Sequence, residues 1–445
     1  MVIDLERKSV LNDVLIGGFL FLFIYNIPFS FLPMATAKLA LLVAMAFLIF
    51  SYNEPNVREL LNFRVLSPFL FALLLMAYSL LSNVYNHTTD FTFAYTYFLF
   101  LLEYLVGAIV IVAWIMARSD PGGRMDYFLK AFVIICVIQS VLIFLMLFHV
   151  PFREISFSII NSPEREEVNA RYGGFRGLGY AASVTYDFAV LQSMALMFIP
   201  YLTIRAKRLH TVILLALSYF IILGGVLISG RTGLLGVFLS ACLMVYHSLR
   251  WSPRSLLLNK NFLKSSYFYL FILTVFAFSY FFFLDATVRL YLEEFVFPYA
   301  FELFINFFET GSAATRSTDN LSTMYFPIDW DTFFWGDGYY SNPYGTGFYR
   351  ETDAGYMRQI LFYGVFGSLL LYFFYMVLVA KVLACPVKRD YQVIFLSLVG
   401  YLFIVQYKGD ILMGSSFCIK VIFILYLLIQ TNSGSLRPAI SNAEQ

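Results

Sequence analysis

Charged residues are scarce in this chain, and no part of it is strongly basic or acidic. Only 13% of its 445 residues are Asp, Glu, Lys or Arg, whereas 60% are hydrophobic, and the formal net charge is +2. That balance excludes a soluble protein of this length and indicates repeated membrane spans, each of which needs roughly 20 apolar residues. The chain has no basic run of the kind that binds nucleic acid. We therefore expect the lipid bilayer, and no nucleic acid, as a partner.

Histidine and cysteine are nearly as rare, with four residues of each. The histidines have no spacing typical of a metal site, so we expect neither a metal nor another cofactor. The cysteines lie in apolar segments or in a short basic loop, which argues against a disulfide framework. These residues are His87, His149, His210, His247, Cys136, Cys242, Cys385 and Cys418.

Long apolar runs predict an all-α, polytopic integral membrane protein with about twelve transmembrane helices. The first run is about 20 residues long, more than the roughly 7–15 apolar residues of a signal peptide, so we interpret it as an uncleaved helix. For the short runs at 36–52, 232–248 and 391–407, a re-entrant segment is the alternative. The predicted spans lie near 14–33, 36–52, 66–85, 92–116, 127–149, 182–203, 210–229, 232–248, 265–284, 357–380, 391–407 and 411–430.

Lysine and arginine are distributed unevenly over the connecting loops. They concentrate at the N-terminus and after the even-numbered spans, which places these loops and both termini in the cytoplasm by the positive-inside rule. The predicted parts follow from this order. They are spans one to nine at 1–284 with a long outer loop at 150–181, an outer cap loop at 285–356, spans ten to twelve at 357–430, and a cytoplasmic tail at 431–445.

The two long outer loops contain arginine but no lysine. The first holds Arg153, Arg165, Arg171 and Arg176, and the second holds Arg289, Arg316 and Arg350. Positive charge on the translocated side is unusual. Arginine without lysine suggests bidentate recognition of phosphate or carboxylate. The second loop is also rich in aromatic residues, which disordered linkers lack, so we expect a folded cap with a surface helix at 287–308 broken near Pro298.

Two short motifs combine arginine with glycine. Residues 171–179 contain four glycines, which let the backbone approach a ligand closely, and the two arginines Arg171 and Arg176 are spaced to grip a phosphate or diphosphate. The alternative is a flexible turn whose arginines touch lipid headgroups. The second motif, Ser229-Gly-Arg231-Thr-Gly233, interrupts a long apolar stretch in which Arg231 is the only charge. It predicts an anion site, with a hairpin turn and a snorkelling arginine as the alternative.

Further charges occur where the cap re-enters the membrane and inside the spans. Residues 347–364 contain Arg350, Glu351, Asp353 and Arg358, although Asp353 also suits an ordinary helix start. Buried charges in a membrane should pair or line a wet cavity. Structural pairing is the favoured role for Glu103 and Lys420, whereas Asp187, about two turns inside span six, is close in sequence to Arg176.

Together these motifs resemble the superfamily of O-antigen polymerases and O-antigen ligases, which are bacterial inner-membrane proteins. The resemblance covers roughly 165–370 and depends on the order of short motifs. They are Arg176-Gly177 before a span, the turn around Arg231, and the large loop with Gly-Asp-Gly, then Asp353-Ala-Gly-Tyr and Tyr363-Gly-Val-Phe-Gly367.

The resemblance implies glycosyl transfer from an undecaprenyl-diphosphate-linked glycan at the periplasmic face, without a metal. Arginine would then hold the diphosphate leaving group, since stabilising developing charge is usually the largest catalytic contribution. The implied binding residues are Arg171, Arg176 and Arg231, assisted by Arg316, Arg350 and Arg358, with Gly177 and Asp187 in support. A chain-length regulator is a further candidate partner.

The absence of histidine from 285–356 favours a polymerase over a ligase, because ligases of this group typically have a histidine near the end of that loop. Asp353 occupies the similar place and is the first candidate for the base, followed by Glu351 and Asp337. Two alternatives stay open. One is a ligase that transfers finished polymer to a lipid A core, and the other is a flippase for the same lipid-linked unit.

Overall fold

The computed structural model describes residues 2–250, 260–283, 286–311 and 316–434. Helices are the dominant regular structure of these residues, which contain two isolated bridges and no strand, so the all-α prediction is confirmed for this part of the chain. The α-helices in chain order are α1 Val2–Tyr25, α2 Thr36–Ser51, α3 Pro55–Leu60, α4 Phe63–Leu66, α5 Leu70–Tyr85, α6 Thr92–Leu99, α7 Val106–Arg118, α8 Arg124–Phe148, α9 Val150–Ile159, α10 Pro163–Arg171, α11 Tyr186–Arg205, α12 Leu209–Ser229, α13 Leu234–Arg250, α14 Lys260–Phe278, α15 Ala286–Tyr291, α16 Phe297–Thr310, α17 Arg316–Thr323, α18 Trp330–Trp335, α19 Gly355–Leu383, α20 Arg389–Gln406 and α21 Ser416–Gly434.

Seven helical segments of the described chain are long and apolar enough to cross a membrane, which makes this a polytopic membrane protein. They are Phe63–Tyr85, Thr92–Arg118, Arg124–Phe148, Tyr186–Arg205, Leu209–Ser229, Arg231–Arg250 and Gly355–Leu383. Each of the other predicted spans also coincides with a helix, but with a shorter or less apolar one. α1 begins at Val2, before the first predicted span near 14–33, and ends at Tyr25, before the predicted end of that span.

The chain divides into two units that interleave in sequence: 1–39 with 126–312, and 40–125 with 313–445. In the first unit, α11 lies at the centre and packs against α12 and α13. It is the most deeply buried of the membrane-length segments, with 94% of its most apolar window inside the protein. Because α11 carries charge only at its two ends, neighbouring helices can surround it without leaving a buried charge unpaired.

The second unit contains a buried ion pair and a broken helix. Lys420 of α21 lies 2.9 Å from Glu103, which belongs to the π-helical turn Phe100–Leu105, so the predicted structural pairing of these charges is confirmed. The break lies in α19, where Gly364 has φ +64° and ψ −170°. A Cβ there would collide with the backbone of Phe334 and Trp335, so only glycine allows α18 to lie this close.

The predicted cap at 285–356 is shared between the two units, with the division at residue 312. In the first unit it contains α15, a π-helical turn at Leu292–Val296 and α16, so the predicted helix is present and its irregular turn ends just before Pro298. In the second unit it contains α17, α18 and a 3₁₀ turn at Tyr349–Glu351. The predicted tail lies outside the described residues from position 435 onward.

Candidate functional site

In the first unit, the loop between α10 and α11 follows a path that only glycine permits. Gly173, Gly174, Gly177 and Gly179 all have positive φ, a region that L-residues with a Cβ rarely adopt. At Gly177, φ is +78° and a Cβ would lie 2.8 Å from the carbonyl oxygen of Arg165. The four glycines of the motif are therefore required by backbone geometry, which explains their density in the sequence.

The side chains of α10 hold this loop by its carbonyl groups. Arg165 is almost completely buried and donates hydrogen bonds to the carbonyl oxygens of Gly179 and, at 2.5 Å, Ala181. Burial lowers the pKa of Arg165 to about 10. Asn169 donates to the carbonyl oxygens of Gly174 at 2.9 Å and Arg176 at 2.6 Å. Sequence reasoning missed these supports, because nothing in the sequence distinguishes Arg165 from the other arginines of the loop.

Arg176 connects the two arginine motifs. Its side chain is buried, with 9% exposed, and its guanidinium lies 4.4 Å from the centre of the Tyr172 ring. One terminal nitrogen donates to the carbonyl oxygen of Ser229 at 3.1 Å. Ser229 ends α12 and begins the turn that leads to Arg231, so a contact between residues 53 positions apart joins the two motifs.

Arg231 begins the 3₁₀ turn Arg231–Gly233 and forms an ion pair with Glu302 of α16. Both side chains remain about one-fifth exposed, at 18% and 22%, so the pair is accessible from solvent. A phosphate entering here can compete with the Glu302 carboxylate for the guanidinium, because both anions suit its bidentate geometry. Glu302 was not among the predicted site residues, and no local motif connects it with Arg231.

The other predicted residues of the first unit have ordinary structural partners. Asp187 lies in the first turn of α11, not two turns inside it as predicted, because the helix begins only at Tyr186. Its carboxylate accepts hydrogen bonds from Ser183 at 2.6 Å and from the Phe188 backbone at 2.9 Å, which secures the helix start. Arg171, at the end of α10, is 65% exposed and lies 2.5 Å from Glu167.

An apolar cavity of about 400 Å³ lies in the same unit. Its lining includes Leu227 and Ile228, which directly precede the turn that carries Arg231, and Phe297 of α16, the helix that carries Glu302. The other lining residues are Phe144, Leu147, Phe148, Phe220, Leu223, Gly224, Ser279, Tyr280 and Leu292. Such a surface suits a hydrocarbon chain.

In the second unit, Asp337 is the centre of a hydrogen-bonded group. Its carboxylate accepts from Thr332 at 2.6 Å and from Tyr349 at 3.1 Å, and it lies 3.1 Å from the Arg350 guanidinium. Arg350 and Glu351 have φ values of +50° and +55°, a strained backbone for residues with a Cβ. The group therefore ties the 3₁₀ turn to α18, and Asp337 is already engaged by three donors.

Arg358 is the most deeply buried of the predicted binding arginines whose side chains the structure describes. Its guanidinium lies between two aromatic rings, 3.7 Å from the centre of Tyr340 and 3.5 Å from the centre of Phe348. The side chain is only 5% exposed, and its Nε and Nη2 atoms have no hydrogen-bond partner among the described residues. Buried donors of this kind are rare in proteins, and an anion would satisfy them.

Asp410, which was not among the predicted site residues, lies in the same environment as Arg358. Its carboxylate accepts hydrogen bonds from Tyr340 at 3.1 Å, Gln359 at 3.2 Å and Gln406 at 3.1 Å. Burial raises the pKa of Asp410, and the positive charge of Arg358 opposes that rise. The sequence places Asp410, like Lys408, near the outer end of a predicted span, but its partners are up to 70 positions away and could not be predicted.

The remaining candidate bases lie at the surface. The Asp353 side chain is exposed, yet the surrounding protein partly buries the carboxyl and raises its pKa, while Arg358 and Lys408 lower it. Glu351 is exposed on the 3₁₀ turn. Arg316 begins α17, and its side chain lies outside what the structure describes. Of these residues, Asp353 combines solvent access with a perturbed pKa, which suits a base.

The predicted site residues are thus distributed over both units: Arg171, Arg176, Gly177, Asp187 and Arg231 belong to the first, and the others belong to the second. In the described part of the chain, no three His, Cys, Asp or Glu side chains are grouped as metal ligands would be. Comparison with models of protein families, with curated proteins and with solved structures found no match for this chain.

Proposed function

We propose that this chain polymerises undecaprenyl-diphosphate-linked oligosaccharide repeat units into O-antigen or a related surface polysaccharide. The observation that carries the proposal is the convergence of Arg176 on the turn that contains Arg231, in a loop region that has arginine but no lysine. Two guanidinium groups near one glycine-rich loop suit a diphosphate better than a single carboxylate. The bilayer and the lipid-linked glycan are then the partners, and a chain-length regulator is a third.

The proposed reaction is a glycosyl transfer. A hydroxyl at the non-reducing end of the incoming unit attacks the anomeric carbon of the growing chain. The bond from that carbon to the diphosphate oxygen breaks, and undecaprenyl diphosphate leaves. Arg176 and Arg231, with Arg171 at the loop, would stabilise the negative charge that develops on the leaving group. Asp353 is the first candidate to accept the hydroxyl proton, ahead of Glu351 and Asp337.

Two further features support a lipid-linked glycan as substrate. The apolar cavity beside the Arg231 turn suits part of an isoprenoid chain, and the diphosphate would then lie at the end nearer the arginines. Exposed aromatic rings occur in the predicted cap, among them Tyr344 at 96% and Trp330 at 76% exposure. Flat rings of this kind stack on the apolar faces of sugars.

The proposed topology has twelve spans in the bacterial inner membrane, with both termini in the cytoplasm and the arginine-bearing loops in the periplasm. The alternation of basic loops supports it, and so does the coincidence of every predicted span with a helix. A helix shorter than 18 residues, such as α2 with 16, would cross the membrane where the bilayer is locally thin or where flanking polar side chains reach the interface.

The test is the surface-polysaccharide pattern of a strain that lacks this protein. A polymerase predicts a core capped with a single repeat unit, and the polymer ladder returns when the wild-type chain is supplied. Naked core with polymer retained on the carrier lipid would identify a ligase instead. Naked core without carrier-linked polymer would identify a flippase, and an unchanged ladder would remove this pathway altogether.

A further inference from the structure

A second cavity in the first unit, of about 570 Å³, lies where α12 begins and α14 passes. Its lining combines three basic side chains, Lys207, Arg208 and Lys264, with apolar and aromatic ones. Leu209, Ile213 and Tyr267 are among the latter. This lining is amphipathic. Two of its cations, Lys207 and Arg208, directly precede α12, and the third, Lys264, lies near the start of α14.

The positive charge of this cavity is not balanced by its own lining, which contains no Asp or Glu among the described residues. Lys207 and Arg208 are exposed. Lys264 is partly buried and donates a hydrogen bond to the carbonyl oxygen of Ala206 at 2.5 Å, which fixes its ammonium group at the cavity. The nearby carboxylate of Asp126 is paired with Arg205, at 3.7 Å. An anionic group is therefore the charge complement that this cavity lacks.

The apolar part of the lining decides which kind of anion fits. Leu209, Ile213 and Tyr267 are 75%, 38% and 68% exposed, although they border the basic side chains of Lys207 and Arg208. A small soluble phosphate would use the three cations but would make no contact with these apolar side chains. An amphiphile with an anionic headgroup and acyl chains would satisfy both parts at once, and basic pockets between membrane helices bind such headgroups.

We propose that this cavity is a binding site for an anionic phospholipid of the bilayer. Lys207, Arg208 and Lys264 contact the phosphate, and the acyl chains lie along Leu209, Ile213 and Tyr267. The proposal does not depend on the function proposed above, because it concerns a different end of α12 from the one that leads to Arg231.

The experiment measures lipid binding to the purified full-length chain by native mass spectrometry and by thermal unfolding. Phosphatidylglycerol is compared with phosphatidylcholine, for the wild type and for Lys207→Gln with Arg208→Gln. The matched control is Lys388→Gln with Arg389→Gln, which removes the same charge from an exposed basic pair at the start of α20. The single variant Arg208→Gln replaces the double variant if the latter does not fold.

The expected result is selective retention of phosphatidylglycerol by the wild type, a loss of at least about tenfold in the cavity variant and no loss in the control. Equal binding of the two lipids would overturn the proposal, and so would an equal loss in the control variant, which would mean unspecific attraction. Stabilisation by inorganic phosphate as strong as that by phosphatidylglycerol would also overturn it, because the ligand would then be a soluble phosphate.

Discussion

Arg176 and Arg231 illustrate what sequence can and cannot report about a single residue. Arg231 is predicted to bind an anion because it is the only charge in an apolar stretch, and Arg176 because it belongs to a glycine-rich loop segment that has arginine but no lysine. Their partners could not be predicted, because Glu302 is 71 positions from Arg231 and Ser229 is 53 positions from Arg176. Charge and spacing identify the donor, whereas the fold alone decides which acceptor lies opposite.

Exchanging the charges of Arg231 and Glu302 separates a structural role from substrate binding. The variant Arg231→Glu with Glu302→Arg keeps an ion pair, so we expect thermal unfolding close to that of the wild type. Activity should fall by about 100-fold or more, because the guanidinium moves from the turn that Arg176 contacts to α16, where the diphosphate cannot use it in the same way. The single variants show how much the pair contributes to stability. Wild-type polymer from the exchanged variant would mean that Arg231 serves only the fold.

If Asp353 is the base, the polymerisation activity should depend on pH. A base must be deprotonated, so activity should be present at high pH and decline as the pH falls through the pKa of Asp353, which lies above the ordinary value of about 3.9. The activity of the Asp353→Asn variant should be lower by about 100-fold or more, and it should no longer decline as the pH falls.

The control for Asp353 is Asp319→Asn, which removes an exposed carboxylate from α17. It should keep the wild-type pH profile of polymerisation. If Asp353→Asn kept the decline at low pH and Glu351→Gln lost it, the base would be Glu351, and the assignment to Asp353 would be wrong.

At the scale of elements, sequence predicts helices well and loops poorly. The helices follow long apolar runs, so most boundaries agree within a few residues, as for the run predicted at 210–229 and α12 at Leu209–Ser229. The loop before α11 has no such pattern. Its path is set by hydrogen bonds from Arg165 and Asn169 to backbone carbonyls, and a sequence motif reports only the glycines that this path requires.

Gly177→Ala tests whether this loop needs its strained backbone. The new Cβ would face φ +78° and lie 2.8 Å from the Arg165 carbonyl oxygen. We expect a loss of about 1–2 kcal/mol from the left-handed conformation alone, seen as a lower unfolding temperature of the purified protein. The control is Gly17→Ala in α1, where no other atom lies within 4 Å of the added Cβ. An equal effect of the two substitutions would show that the loop conformation is not constrained as described.

At the scale of the whole molecule, the sequence predicts a polytopic helical protein because composition is decisive for that class. It does not predict the two interleaved units, since the first joins 1–39 with 126–312 and such contacts leave no local pattern. The number of spans depends on helices such as α2, whose length is marginal for a membrane. The central claim therefore rests on the arginine group of the first unit and not on the count.

The most direct test is polymerisation by the purified chain in lipid vesicles supplied only with undecaprenyl-diphosphate-linked repeat units. The products are separated by size, and released undecaprenyl diphosphate is quantified. The account predicts a ladder of lipid-linked polymer from the wild type and from the exposed control Arg389→Ala, and single units only from Arg176→Ala and Arg231→Ala. Absence of a ladder from the folded wild-type protein, or an unchanged ladder from both arginine variants, would contradict it.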